Sequence, residues 1–260
     1  MVQGDEKSMR RDGLGLMEAL ALGPGPGLIS VVGGGGKTSL LFALAGLLEG
    51  GTVLTTTTRI FASQARRAGT VCSLGESGWE ERLDRATGSV LVVGAMEDRH
   101  AMGVPASLPP RLLERAGVDW VVVEADGSRR LPVKAPAEHE PVVSPETTVL
   151  VTVAGIDALS APIAQVAHRP ERVSALTGLP EDRILTPEAL GGLLASDQGG
   201  GKAAPASARR LILINKVESE AQRLHAGAIA HSALKESRVE RVVAGALMGD
   251  SETGWQAWSR

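Results

Sequence analysis

The chain has 260 residues, and its 27 Lys plus Arg against 30 Asp plus Glu give a formal charge of −3. This length is enough for one large domain whose core needs no disulfide or structural metal. A nearly balanced charge argues against a dedicated nucleic-acid or anionic-membrane binder. With four Trp, two Phe and no Tyr, few rings are available for stacking bases. We therefore expect neither nucleic acid nor a membrane among its partners.

The first 27 residues are expected to form an N-terminal helix, predicted at Gly15–Leu22, and a Gly/Pro-rich break before the first strand. Residues 1–15 carry both charge signs and lack the apolar run of a signal peptide. No window of the chain approaches 18 uninterrupted apolar residues. The single cysteine, Cys72, cannot form an internal disulfide and is expected to be buried. These features predict a cytoplasmic protein.

Seven short runs of aliphatic and β-branched residues are predicted to be strands. Most have no polar alternate face, which is typical of a parallel sheet covered by helices on both faces. The runs are Leu28–Val32, Thr52–Thr57, Ser89–Gly94, Asp119–Glu124, Thr148–Val153, Arg210–Asn215 and Arg241–Leu247.

The segments between these strands complete an α/β pattern. Thr38–Glu49 favours a helix that ends at a Gly-Gly pair, so the first two strands form a βαβ unit with it. Asp126–Pro145 is rich in proline and charge and is expected to be irregular. Residues 164–195 indicate a small helical insert, and residues 196–207, with three consecutive glycines, indicate a flexible surface loop.

A glycine-rich turn joins the first strand to this helix. Backbone N–H groups in such a turn, together with the helix N-terminus, can surround phosphate oxygens. Lys37 would contact the β- and γ-phosphates, and the Thr38 hydroxyl would ligate Mg²⁺. The pattern G-x-x-x-x-G-K-[ST] requires glycine where this chain has Val31, so a flexible loop with an incidental lysine is the alternative. The turn consists of Gly33, Gly34, Gly35, Gly36, Lys37, Thr38 and Ser39.

This turn completes the predicted fold class. We expect a single P-loop NTPase-like α/β domain over residues 1–260, with a mainly parallel sheet, helices on both faces and a small helical insert.

Two carboxylates follow another buried strand. Glu124 and Asp126 would lie at the carboxyl edge of the sheet, where ligands bind in open α/β folds. They are candidate catalytic residues with Lys37 and candidate Mg²⁺ ligands with Thr38. The Glu-x-x-Gly spacing ending at Gly127 is typical of one class of dimerising P-loop NTPases, which leaves a homodimer open. The alternative is a charged turn at a strand end.

Two further strand ends carry polar groups. Thr57, Thr58 and Arg59 close the second strand, where hydroxyls and a guanidinium could contact Mg²⁺ or a substrate; threonine is also simply a good strand residue. Near the C-terminus, Asn215, Lys216 and Glu218 resemble the guanine-reading N-K-x-D pattern of GTPases. Glu218 is one methylene longer than the aspartate, so both GTP and ATP remain candidates.

With these residues in view, the sequence resembles the YqeC-like family, accessory proteins of selenium-dependent molybdenum hydroxylases. The resemblance implies a role in maturing or loading such an enzyme, with the hydroxylase or its cofactor precursor as partner. It is carried by VVGGGGKTSLL (31–41), TTTTRI (55–60), EADGSRRLPVKAPAEHEPVV (124–143), TVLVTVAGIDALSAPI (148–163), VAHRPERVSALTG (166–178) and LINKVE (213–218).

The resemblance also draws attention to the proline-rich loop and to residues beyond it. Lys134, His139 and Glu140 are candidate substrate contacts, with the His-Glu pair as a possible base or ligand; surface salt bridges that stabilise the loop are the alternative. Asp157 and the pair His168-Arg169 are weaker candidates.

Three function classes fit these observations. The leading hypothesis is a Mg²⁺-dependent protein that binds GTP or ATP, either an NTPase or a nucleotide-using transferase, and aids maturation of a selenium-dependent molybdenum hydroxylase. A nucleotide-gated scaffold with little turnover is the second. A metallochaperone GTPase is the third, although one cysteine and five scattered histidines make a poor metal-transfer site.

Overall fold

Short aliphatic runs form the strands of one large sheet in the computed structural model, which describes residues 11–248 and 254–260. Residues 1–10 of the predicted N-terminal segment lie outside the described residues. The strands are β1 (Arg11–Leu14), β2 (Gly27–Gly33), β3 (Thr52–Thr56), β4 (Ile60–Phe61), β5 (Thr70–Ser73), β6 (Val90–Val93), β7 (His100–Ala101), β8 (Trp120–Glu124), β9 (Val133–Lys134), β10 (Val149–Gly155), β11 (Ala167–His168), β12 (Arg209–Asn215), β13 (Val239–Ala244) and β14 (Trp255–Ser259). Four of these strands lie outside the large sheet and form two small two-stranded sheets, β4 with β7 and β9 with β11.

The helices alternate with these strands along most of the chain. They are α1 (Leu16–Leu20), α2 (Lys37–Leu47), α3 (Ala62–Ala65), α4 (Trp79–Arg85), α5 (Leu108–Leu113), α6 (Ile163–Val166), α7 (Pro170–Thr177), α8 (Pro187–Ala195) and α9 (Glu220–Ala233), with a 3-10 turn at Ile156–Leu159. None of these helices combines the length and the apolar character that crossing a bilayer requires.

The main sheet has ten strands in the order β1-β14-β13-β12-β10-β2-β8-β3-β6-β5. The eight strands from β13 to β5 are parallel, while β14 pairs antiparallel with both β13 and β1. The fold is therefore mixed α/β with a large, mostly parallel sheet, as the aliphatic runs predicted. All seven predicted strands are present, whereas β1, β5 and β14 at the two edges of the sheet had no prediction.

Helices pack on both faces of the sheet because successive residues of each strand point to opposite faces. On one face, Ile29 and Val31 of β2 cluster with the buried leucines of α2. On the other face, Leu28 and Val32 cluster with Leu112 of α5. A central strand of this kind has no solvent-facing side, which explains why β2 is buried at every position.

The regions predicted to be irregular or inserted have defined contacts. Residues 164–195 contain α6, α7 and α8, and their apolar side chains pack with α9. In the segment predicted as a flexible loop, residues 196–207, the Thr152 hydroxyl donates to the Gly200 carbonyl at 2.7 Å, and Asp197 pairs with Arg210. Cys72 is buried in β5, as expected, and burial raises its pKa.

Candidate functional site

A cleft of about 770 Å³ opens at the carboxyl edge of the parallel strands. It lies there because parallel strands all end at the same edge and the loops that follow them form its walls. Its lining includes the turn after β2, the segment after β3, the residues after β8 and those after β12. The lining residues are Gly35–Ser39, Thr58–Phe61, Gln64, His100, Glu124, Gly127–Arg130, Glu140, His168, Arg169, Asn215, Lys216 and Met248.

The glycine-rich turn between β2 and α2 requires glycine at defined positions. Gly33, Gly35 and Gly36 have φ of 98°, 71° and 139°, values that favour glycine. A Cβ on Gly35 would lie 2.1 Å from the Gly155 nitrogen at the end of β10, so the turn passes directly against that strand. Any side chain here would push the turn away from the sheet.

Lys37, the first residue of α2, is buried and points back into this turn. Its ammonium donates to the Gly33 carbonyl at 2.7 Å. Two carboxylate oxygens from the end of β8 lie near it, Asp126 Oδ1 at 3.3 Å and Glu124 Oε1 at 3.8 Å. The structure therefore brings together the three residues that the sequence singled out as catalytic candidates.

Asp126 is surrounded by positive groups. Its carboxylate accepts from the Gly33 N–H at 3.1 Å and lies 3.0 Å from the Lys134 ammonium, opposite Lys37. Asp126 and both lysines are almost fully buried. A buried charge of this kind must be paired, so Asp126 joins the turn, helix α2 and the proline-rich loop.

Thr38 and Glu124 form a second contact on the wall of the cleft. The Thr38 hydroxyl donates to Glu124 Oε2 at 2.7 Å and accepts from Gln64 Nε2 of α3 at 3.1 Å. Burial raises the pKa of Glu124 above its usual value, against the lowering effects of Lys37 and Thr38. Glu124 therefore loses its proton most easily when a further cation lies beside it.

The proline-rich loop contributes an ion-pair chain. Lys134 donates to the Gly127 carbonyl at 2.7 Å and pairs with Glu140 at 2.8 Å, while Arg169 pairs with the same Glu140 oxygen at 2.7 Å. Burial alone would raise the pKa of Glu140, but these two cations outweigh it and lower the pKa to about 2. His168 Nδ1 lies 3.2 Å from the same Gly127 carbonyl, and burial beside cations lowers its pKa.

The end of β12 contacts the glycine turn on the side opposite to β8. Asn215 donates to the Gly35 carbonyl at 2.7 Å and accepts from the Leu247 N–H at 3.0 Å, so both ends of its amide hold backbone. Lys216 pairs with Asp157 at 2.6 Å. Glu218 is exposed two residues before α9 and does not line the cleft.

The remaining candidates are divided between the cleft and the surface. Thr58 and Arg59 line the cleft, whereas the Thr57 hydroxyl donates to the Val142 carbonyl at 3.3 Å outside it. His139 is exposed and lies outside the cleft lining, so the structure separates it from Glu140, its neighbour in the chain. The predicted His-Glu pair does not face the carboxylates as a unit.

Several residues of the cleft lining were not predicted from the sequence, among them Gln64, Arg129 and Arg130. Gln64 contacts Thr38 from 26 residues away in the chain, and no local pattern signals such a contact. Arg129 and Arg130 follow Asp126 closely and were within the quoted family block. Two consecutive arginines after a strand that ends at the ligand edge were the available signal.

These features define a class of protein: an α/β protein with a polar cleft at the carboxyl edge of a mostly parallel sheet. The family model described as YqeC protein matches residues 29–171. The "Uncharacterized protein YqeC" of Escherichia coli (strain K12) is 32% identical over 229 residues, which cover 86% of this chain and 88% of that relative. The chain therefore belongs to the YqeC family, as the sequence motifs predicted.

Proposed function

We propose that this protein binds a nucleoside triphosphate with Mg²⁺ at the turn formed by residues 33–39, which acts as a phosphate-binding loop. One observation carries the proposal: Lys37 and Thr38 open a helix directly after a glycine turn and contact Glu124 and Asp126 at the end of the neighbouring strand. The backbone N–H groups and the lysine would hold phosphates, and the helix N-terminus favours negative charge.

The donor set suits Mg²⁺ bound together with a nucleotide. Thr38 and Glu124 supply a hydroxyl and a carboxylate oxygen 2.7 Å apart, and Mg²⁺ prefers oxygen ligands. The described residues contain no cluster of three His, Cys, Asp or Glu side chains around one point, so phosphates and water would supply the other ligands. Asp126 is occupied by Gly33 and two lysines and is better suited to positioning Lys37. Bound Mg²⁺ would neutralise phosphate charge.

The choice between GTP and ATP depends on the residues after β12. Asn215 and Lys216 lie at the cleft, but Glu218 would have to turn inward to meet a guanine. We propose that hydrolysis, or transfer to a second substrate, serves maturation of a selenium-dependent molybdenum hydroxylase. Resemblance to the family supports this last step. A homodimer formed around the nucleotide remains part of the proposal.

Calorimetric titration of GTP and of ATP with Mg²⁺ tests the nucleotide site. We expect Lys37→Ala to weaken binding by about 100-fold or more, because it removes a buried charge from the phosphates. The matched control Lys235→Ala alters an exposed lysine beyond α9 and should bind normally. Circular dichroism verifies that both variants fold. Failure of wild-type protein to bind either nucleotide would contradict the proposal.

Phosphate release then separates the remaining functions. Release that depends on Mg²⁺ and is lost in Thr38→Val supports an NTPase or a transferase, since that change removes the hydroxyl but keeps the shape. Binding without release would make the protein a nucleotide-gated scaffold. In cells, deletion should lower the activity of a selenium-dependent molybdenum hydroxylase. Wild type should restore that activity and Lys37→Ala should not.

A further inference from the structure

Four basic residues that line the cleft have a positive φ, a backbone conformation that residues other than glycine rarely adopt. Among the described residues, six non-glycine residues have positive φ, and four of these six line the cleft. Those four are all basic: Arg129 (φ 52°), Arg130 (φ 65°), Arg169 (φ 66°) and Lys216 (φ 65°). Such strain persists only where the surrounding structure imposes it, and it is concentrated at functional sites.

Two of these residues are already neutralised by protein carboxylates. Arg169 pairs with Glu140, and Lys216 pairs with Asp157. Arg129 and Arg130 instead follow β8 on an exposed turn, and Arg59, also exposed, follows the adjacent strand β3. Of the carboxylates that line the cleft, Glu140 is held by Lys134 and Arg169, and Glu124 by Thr38 and Lys37.

Within the described part of the chain, no carboxylate pairs with Arg59, Arg129 or Arg130, and these three arginines occupy one particular side of the glycine turn. In the sheet, β8 and β3 lie on one side of β2, whereas β10 and β12, with Asn215, lie on the other. A nucleotide on residues 33–39 whose base points towards Asn215 would leave the β8–β3 side free. An aromatic wall borders that side, because the Arg130 guanidinium lies 4.2 Å from the centre of the Phe61 ring, and the His100 ring lies 5.3 Å from Phe61.

We infer that Arg59, Arg129 and Arg130 form a second anion subsite, which binds the phosphate or carboxylate group of a second substrate beside the nucleotide. Guanidinium groups bind both kinds of oxyanion through paired N–H donors. The Phe61 ring holds the Arg130 guanidinium in place at low entropic cost, which favours binding of an anion. The inference deepens the proposed function and rests on it for the identity of the neighbouring ligand.

The test titrates two probes, pyrophosphate and citrate, into protein saturated with Mg²⁺ and a β,γ-imido analogue of whichever nucleotide binds. We expect at least one probe to bind, and the Arg129→Ala/Arg130→Ala double variant to weaken it by about tenfold or more. The affinity for the nucleotide analogue should change by no more than about twofold. The matched control Arg111→Ala removes an exposed arginine of α5 outside the cleft lining.

The comparison of probes identifies the chemistry: preference for pyrophosphate indicates a phosphate-bearing substrate, and preference for citrate indicates a carboxylate. The inference is overturned if neither probe binds the saturated protein. That result would mean that the probes bind only at the glycine turn, which the nucleotide analogue already occupies. It is also overturned if the double variant weakens the binding of nucleotide and of probe equally. The same holds if the control Arg111→Ala weakens probe binding as much as the double variant does.

Failure of the proposed function gives a different result. If no nucleotide binds wild type, the same probes are titrated into Lys37→Ala protein, in which the glycine turn lacks its lysine. Binding that still depends on Arg129 and Arg130 supports the subsite without the nucleotide, and absence of binding overturns both proposals. A third variant, Arg129→Gly/Arg130→Gly, adopts positive φ without strain and shows whether lost binding reflects lost charge or a distorted turn.

Discussion

Single side chains hold the cleft together through buried charge. Asp126 meets Lys37 at 3.3 Å, Lys134 at 3.0 Å and the Gly33 N–H at 3.1 Å, and all three side chains are almost fully buried. Removing one charged member of such a group leaves its partner charged and unpaired, which destabilises the fold by more than the intact pair stabilises it. Stability and the proposed phosphate binding therefore depend on the same residues.

A double-mutant cycle between Asp126 and Lys134 tests this coupling. We expect Asp126→Asn to lower the free energy of unfolding by about 3 kcal/mol, because two lysines lose their shared anion. Lys134→Met should also lower the free energy of unfolding. The double variant should lose less of this free energy than the two single variants added together, and the difference, which is the coupling energy, should be about 1–3 kcal/mol. Urea denaturation measures all four proteins. Strictly additive losses would show that the two charges act independently.

Glu140 predicts a pH dependence of stability. Its pKa in the folded protein is about 2, below its ordinary value of 4.5, so its ionised form stabilises the fold above about pH 4.5. This stabilisation is lost as the pH falls from about 4.5 to about 2, where the folded protein must also take up the proton. At pH 6, the free energy of unfolding of the wild type should therefore exceed that of Glu140→Gln by about 2 kcal/mol.

The difference between these two proteins should shrink towards zero near pH 2, as measured by urea denaturation at each pH. Comparing them removes the contribution of the other carboxylates, including Glu124, whose raised pKa acts in the opposite direction. A gap that stays constant with pH would contradict the role of the ion pairs with Lys134 and Arg169.

In the proposed function, the element that binds the phosphates is the glycine turn with helix α2. The turn lies against β10 because Gly33 and Gly35 have no side chains. Asp126, after the neighbouring strand β8, and Asn215, at the end of β12 beyond β10, fasten it from opposite sides. Its conformation is therefore preformed by contacts within the protein. A preformed site loses little entropy on binding, which would favour the proposed binding of phosphates.

Alanine at two glycines of this element should have opposite effects. In Gly35→Ala, the methyl group would meet backbone of Gly155 at 2.1 Å with φ at 71°, so we expect the turn to be displaced and nucleotide binding to be lost. Gly46 lies exposed in α2 with no atom near its Cβ position, so Gly46→Ala should stabilise by about 0.5–1 kcal/mol and leave binding intact. Thermal melts and calorimetry of both variants distinguish the outcomes. Equal binding by both would show that the turn adapts to a side chain.

At the scale of the whole molecule, the C-terminal strand joins two parts of the core. In β14, Trp255 packs in the cluster that contains α1 and α2, whereas Trp258 packs in the cluster that contains α8 and α9. The two opposite faces of this strand thus close both sides of the sheet. The antiparallel pairing of β14 also places β1 at the outer edge.

Removing one of these tryptophans tests that role. We expect Trp258→Ala to lower the free energy of unfolding by about 3–5 kcal/mol, since a large buried ring leaves a cavity. Trp79, on the partly exposed helix α4, serves as the control, and Trp79→Ala should cost clearly less. Chemical denaturation followed by circular dichroism measures both. Equal losses of unfolding free energy would show that Trp258 contributes no more to the core than Trp79 does, which would contradict this role of the C-terminal strand.

Local patterns were enough to predict the parallel strands, the glycine turn and the two carboxylates at a strand end, because periodicity and turn chemistry are local properties of the chain. The motifs also identified the family. Which polar groups meet depends instead on the strand order and on the path of the loops. These bring Gln64 to Thr38 and Lys134 to Asp126, and they leave His139 exposed outside the cleft lining. The antiparallel edge was decided in the same way, since pairing between distant segments leaves no local pattern.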